Sequence, residues 1–325
     1  MGTKIIRDLH MTIDCRSYID AMHAVLSHAG WTAYSKAELS GMTVTGFRLA
    51  VHRRLTSESA TAYNWVAENF LAADFLGVTA SSAAGFSFHP TFPLYREQAI
   101  SDLKAAIDRD VGAIFWKDGF VTAAGYDDQA GMLYYDDGSG RVLQPLSYGE
   151  FGRNSSPYWY YQVFEDKIDL DPIEVYKESL MQAVYKWEMH DLMLPEADYA
   201  CGSEAYEAIK QALRTGEFDP IQAGEVFQCY ACAKSDISEY MDKLHSLWPQ
   251  LRSAAAAYGR TAALFHDVLD AVARGGMEDW SEQGVRQELV HLFAEAQRSE
   301  QEGIDCIKGF MRERIGNRFE HVGLR

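Results

Sequence analysis

The chain has 325 residues, more than one hydrophobic core usually serves, so two medium domains are expected. With 47% hydrophobic and 24% charged residues, its makeup is that of a globular protein and not of a disordered one. The formal net charge of −17 opposes binding to a phosphate backbone or an anionic bilayer, and the basic cluster His52-Arg53-Arg54 is too short to reverse it. Neither nucleic acid nor membrane is therefore an expected partner.

The N-terminal stretch places Asp8 and His10 where a secretory signal would need continuous apolar residues. No apolar run approaches the ~20 residues that span a bilayer, so a soluble, cytoplasmic protein is expected. The cysteines, Cys15, Cys201, Cys229, Cys232 and Cys306, are scattered and read as reduced thiols.

In chain order, Ile19, Met22, Ala24, Val25, Leu26 and Ala29 recur at helical spacing up to Gly30, so that Cys15 opens a helix. Further helices are predicted over Thr61 to Leu76, closed by Gly77, and over Tyr95 to Ile107 after the Pro-rich His89 to Pro93. Runs rich in aromatic and β-branched residues then predict strands at Val111 to Trp116, Phe120 to Tyr126, Met132 to Asp136 and Tyr158 to Glu165. The intervening Asp-Gly and Gly-Ser-Gly segments are turn chemistry. Helices followed by an antiparallel meander make an α+β first domain over 1–168.

From Asp171-Pro172 the pattern is helical alone: Ile173 to Met193, Ser203 to Thr215, Ile221 to Leu247, Leu251 to Arg274 and Ser281 to Ile315. The short connections predict a helical bundle or cap over 169–325. Cys229-Tyr-Ala-Cys232 falls inside a helix with no companion ligands at zinc spacing and no preceding strand, so core packing is expected there; neither metal nor cofactor is.

A cysteine at a helix N-terminus suits nucleophilic chemistry, because the positive end of the dipole favours the thiolate. Cys15 with Ala24-Val-Leu26 and Gly30, then Phe120 to Asp127 and Leu133-Tyr-Tyr-Asp136, resembles the papain-like family of bacterial cysteine peptidases. The nearest branch is proteins similar to the N-terminal domain of butirosin biosynthesis protein H, an acyltransferase-type relative. Leu39 to Arg48, Gly202-Ser-Glu-Ala-Tyr206 and Ala254 to Tyr258 are similar to the same branch, so the likeness covers most of the chain.

The resemblance implies a papain-like cysteine-hydrolase fold, with Cys15 as nucleophile and Asp136 or Asp137 orienting an imidazole. It also implies that the catalytic histidine belongs at the position of Gly119, and that the oxyanion-hole glutamine falls among Asp8, Leu9 and His10. Three replacements for the imidazole are His10 from the preceding loop, His89 from the segment before the third helix, and His23 or His28 on the helix of Cys15. His23 is about two turns from Cys15, a poor placement. Gly119, Phe120, Tyr126, His89 and Trp116 are the expected ligand-binding set.

The first functional expectation is a papain-fold relative that binds a small-molecule, acyl or peptide ligand without hydrolysing it. The alternative is a cysteine acyltransferase or amide hydrolase with a relocated histidine. The third is a helical interaction module that associates with a second copy or another protein.

Overall fold

The computed structural model describes residues 2–14, 18–140, 142–276 and 283–321, with backbone alone at Gln283 and over 313–321. In chain order the elements are β1 (Thr3–Ile5), α1 (Tyr18–His28), α2 (Lys36–Met42), β2 (Ala50–His52), α3 (Trp65–Asp74), β3 (Val78–Phe86) and α4 (Phe92–Asp108). They continue with β4 (Ala113–Trp116), β5 (Phe120–Asp127), β6 (Met132–Asp136), β7 (Gln144–Ser147), β8 (Tyr158–Lys167) and α5 (Pro172–Glu188). The chain closes with β9 (Tyr199–Cys201), α6 (Ser203–Thr215), α7 (Pro220–Leu247), α8 (Arg252–Gly275) and α9 (Gln283–His321). No helix among the described residues is long and apolar enough to cross a membrane.

The chain divides into two compact units, Met1–Leu39 with Asn64–Leu170, and Ser40–Tyr63 with Asp171–Arg325. The expected single boundary near 168 thus has a counterpart at 170/171, but Ser40–Tyr63 clusters with the helices and not with the sheet. The physical reason is local pairing. β2 pairs antiparallel with β9, Tyr230 on α7 donates its hydroxyl to Ala50 O, and Leu49, Val51 and Leu55 are buried among the helices' apolar faces.

The first unit is an antiparallel sheet in the order β3-β8-β4-β5-β6-β7, with β1 paired to the distal half of β5. Side chains alternate between its faces. Phe120 and Thr122, opposite Trp116 and Ile114, face α1 and α3, where Tyr18 stacks edge-on to Phe120 and donates its hydroxyl to Gln162 Oε1. Phe115 and Tyr161 face α4, whose Asp102 accepts the Tyr161 hydroxyl at 2.6 Å.

The expected order of helices followed by strands is corrected here: β3 lies between α3 and α4 and pairs along its length with β8. Its sequence, Val-Thr-Ala-Ser-Ser-Ala-Ala-Gly-Phe, has too few β-branched or aromatic residues to announce a strand. α4 begins at Phe92, earlier than expected, because Pro93 suits the first turn of a helix.

In the second unit, Asp171 and Asp219 cap α5 and α7 by accepting the amides of Ile173 and Gln222, each followed by proline in the first turn. Gly202 turns the chain from β9 into α6 at φ 57, where a Cβ would lie 2.2 Å from Trp187 O. The helices close on a buried polar group: Lys234 of α7 donates to Glu300 of α9 at 2.5 Å, and Tyr206 of α6 donates to the other Glu300 oxygen at 2.6 Å. Burial and the Glu300 charge push the Tyr206 hydroxyl well above its usual range.

Removing one partner of such a pair strands a charge in the core, at a cost of about 3–5 kcal/mol. Urea unfolding followed by helical circular dichroism should show that loss for Lys234→Met, and a smaller one for Lys234→Met with Glu300→Leu. A double variant less stable than the single one contradicts this account.

Candidate functional site

The site is built on the segment from Ile6 to Asp14. The Ile6 amide donates to Ala124 O at 2.7 Å, and Ile6, Leu9 and Met11 are buried, which seats the segment against the sheet. Between Leu9 and Met11, His10 presents Nδ1 to Asp136 Oδ2 at 3.0 Å. The same oxygen accepts the Met11 amide at 3.1 Å, while Oδ1 accepts the Gly138 amide at 2.7 Å.

The Asp136 side chain is only 2% exposed, whereas that of His10 is 41% exposed. A buried carboxylate needs several donors to stay paired, and three converge on this one. Its position follows from register: Asp136 ends β6 directly opposite Thr122 of β5, on the face that receives α1.

Gly138 makes the arrangement possible. It turns the chain at φ 72, and a Cβ there would stand 2.5 Å from Ile13 Cγ1. Asp137, the alternative orienting acid, instead accepts the Ser139 amide and hydroxyl at 2.9 and 2.6 Å. Of the two carboxylates, Asp136 is the one joined to an imidazole.

Cys15 lies outside the described residues, between Asp14 and Tyr18 in sequence. Thr12 and Asp14, before it, and Asp20 of α1, after it, are held by Lys36, whose ammonium donates to Thr12 O, Asp14 Oδ2 and the buried Asp20 Oδ1 at 2.5, 2.7 and 2.8 Å. Burial works against the Lys36 charge, but the two carboxylates outweigh it and raise its pKa. No local sequence signal marks this clamp, because its groups come from three separate stretches.

Gly119 occupies the three-residue loop between β4 and β5, and no atom lies within 4 Å of where its Cβ would be. The loop is held by Asp118, at φ 57, which accepts the Ser155 amide and hydroxyl and pairs with Lys117. Burial acts to raise the Asp118 pKa, but these donors lower it below the usual carboxylate value.

Trp116 and Phe120 flank the loop and meet at 5.2 Å between ring centroids. Trp65 packs against both at 4.6 and 5.0 Å, and Tyr158 extends the group to Phe86 and His89. Trp65 is a member that sequence reading missed, whereas Tyr158 opens the aromatic run that reads as strand β8. The Trp116 indole nitrogen is buried with no hydrogen-bond partner among the described residues.

Three members of the expected ligand-binding set, Gly119, Phe120 and Trp116, are thus adjacent, and His89 is linked to them through Phe86, Tyr158 and Trp65. Tyr126 does not. A bulge in the β5–β6 pairing between Ala123 and Gly125 turns Tyr126 toward α4, where its hydroxyl donates to Asp108 and Lys104 lies 4.9 Å from its ring.

His23, on α1, has its pKa lowered by burial and by the Lys36 charge. No disulfide links Cys201, Cys229, Cys232 or Cys306, and the described residues contain no cluster of three metal-ligating side chains. Compared with known proteins, the chain matches no family model and no curated protein.

The His23 shift has a pH signature. A histidine whose folded pKa lies below the ordinary 6.5 stabilises the fold fully above that value, and the contribution is lost as pH falls through the folded pKa. The urea midpoint should therefore drop more on acidification from neutrality in the wild type than in His23→Gln. Equal drops would remove His23 from this role.

Proposed function

We propose that the first unit is a papain-like cysteine enzyme of the acyl-transferring or amide-cleaving kind, in which His10 supplies the imidazole that the family carries at the position of Gly119. The observation that supports this most is the His10 to Asp136 hydrogen bond, with an imidazole partly open to solvent and a carboxylate almost fully buried. A carboxylate on Nδ1 favours the tautomer whose Nδ1–H is donated inward, leaving the Nε2 lone pair as a base.

In this reading Nε2 takes the proton of the Cys15 thiol, and the thiolate attacks the acyl carbonyl. Collapse of the tetrahedral adduct expels the leaving group and leaves the acyl group on sulfur. If the leaving group is a thiolate, it departs without a proton. If it is an amine, the His10 imidazolium must return one. Water or an acceptor amine then takes the acyl group. Thioester substrates ask less of the base and are the preferred class.

A second reading, a ligand-binding relative without turnover, draws on the open space beside Gly119 and the unpaired Trp116 indole N–H. Trapping with a small acyl thioester separates the two. The enzymatic reading expects a covalent acyl group on Cys15 by mass spectrometry, absent in Cys15→Ala and formed about 10²–10⁴ times more slowly in His10→Ala. Labelling at an unchanged rate in His10→Ala overturns the assignment of the base, and no labelling of the wild type supports binding alone.

A further inference from the structure

The two outer edges of the sheet differ in a way that neither folding nor the proposed chemistry requires. An edge strand offers a row of unpaired N–H and C=O groups, and proteins ordinarily close such edges with charge, proline, short length or a bulge. β7 is closed in this manner: it has four residues, and Pro145 removes one donor.

β3 has none of these protections. It runs for nine residues without a charged side chain or a proline. The one irregularity in its pairing belongs to β8, where Glu165 is skipped between Phe164 and Asp166, so β3 itself is continuous. Among the described residues, no hydrogen bond reaches the outward backbone groups of Ala80 to Gly85.

We infer that the β3 edge is a self-association surface, on which a second copy of this chain pairs its own β3 antiparallel about a two-fold axis at Ser82. Such an axis stands perpendicular to the sheet and sets residues of the same face opposite each other, so a strand can pair with itself only if its two halves are compatible. Here Ser81 meets Ala83, Ala80 meets Ala84, and Thr79 meets Gly85; all are small and uncharged. At each end the half-exposed Phe86 stands opposite the partner's Val78, which is buried within its own chain.

Phe86 and Phe88, stacked at 5.2 Å, are 40% and 67% exposed at the end of the strand. At 150–250 Å² for a whole aromatic side chain, they expose about 200 Å² per copy. A standard interface takes about 800 Å² per partner, so the paired strands must supply the larger share, and dissociation belongs in the micromolar range. Two copies of net charge −17 also repel each other at long range, so salt should strengthen the dimer by screening that repulsion.

Sedimentation velocity on the full chain over a concentration series tests this. The wild type should pass from monomer to dimer, more readily at about 0.5 M than at 0.05 M salt. Ser81→Lys, which puts a charge on an exposed edge position, should weaken association at least tenfold with circular dichroism unchanged. Should that variant fail to fold, hydrogen exchange of the wild type supplies the reading, with the outward-facing amides between Ala80 and Gly85 gaining protection as concentration rises. A monomer at every concentration, a dimer indifferent to Ser81→Lys, or β3 amides whose exchange ignores concentration each overturns the proposal.

Discussion

The carboxylate of Asp136 is the constraint on which the arrangement of the first unit's site depends. Buried at the end of β6, it holds the His10 ring, the Met11 amide and the Gly138 amide at once. Each of those bonds fixes a different piece of chain: the imidazole, the segment that leads toward Cys15, and the turn that follows β6. An unpaired carboxylate in that position would be costly, so the segment from Ile6 to Asp14 and the tip of the sheet are held together. Lys36 does the same from the other side by joining Thr12 and Asp14 to Asp20 of α1.

The helical unit solves a related problem with different residues. Lys234 and Glu300 are withdrawn from water on α7 and α9, and Tyr206 of α6 satisfies the second oxygen. Replacing both charges by apolar groups of similar volume costs less than stranding one of them, so the pair is better read as a constraint on which faces meet than as a source of stability. The polar group also ties helices that the sequence separates widely, since Tyr206 and Glu300 stand 94 residues apart.

What was legible in the sequence follows from how locally each element is encoded. α6 reads directly, because Ala205, Ala208, Ile209, Ala212 and Leu213 repeat on one face and Gly216 stops it. β5, β6 and β8 read nearly as well from their aromatic and β-branched content. β3 was missed because alanine, serine and glycine carry no strand signal, and its pairing with β8 is decided by tertiary packing. Ser40–Tyr63 reads from sequence as part of the sheet-bearing domain because nothing in its short elements announces that β2 pairs with β9, about 150 residues later by the pairing of Ala50 with Cys201. The family resemblance points to Asp136 or Asp137, and His10 is one of several histidines that could replace the imidazole; the meeting of His10 with Asp136 across 126 residues is a property of the fold alone.

Action of an Asp136-oriented His10 on the thiol of Cys15 is read from the pH dependence of Cys15 alkylation in the wild type and in Asp136→Asn. A thiol paired with an oriented imidazole should react as a thiolate well below the ordinary cysteine value of about 8.5, and the variant should shift that profile toward the alkaline range. An ordinary alkaline profile in the wild type, or one unchanged by Asp136→Asn, would contradict it.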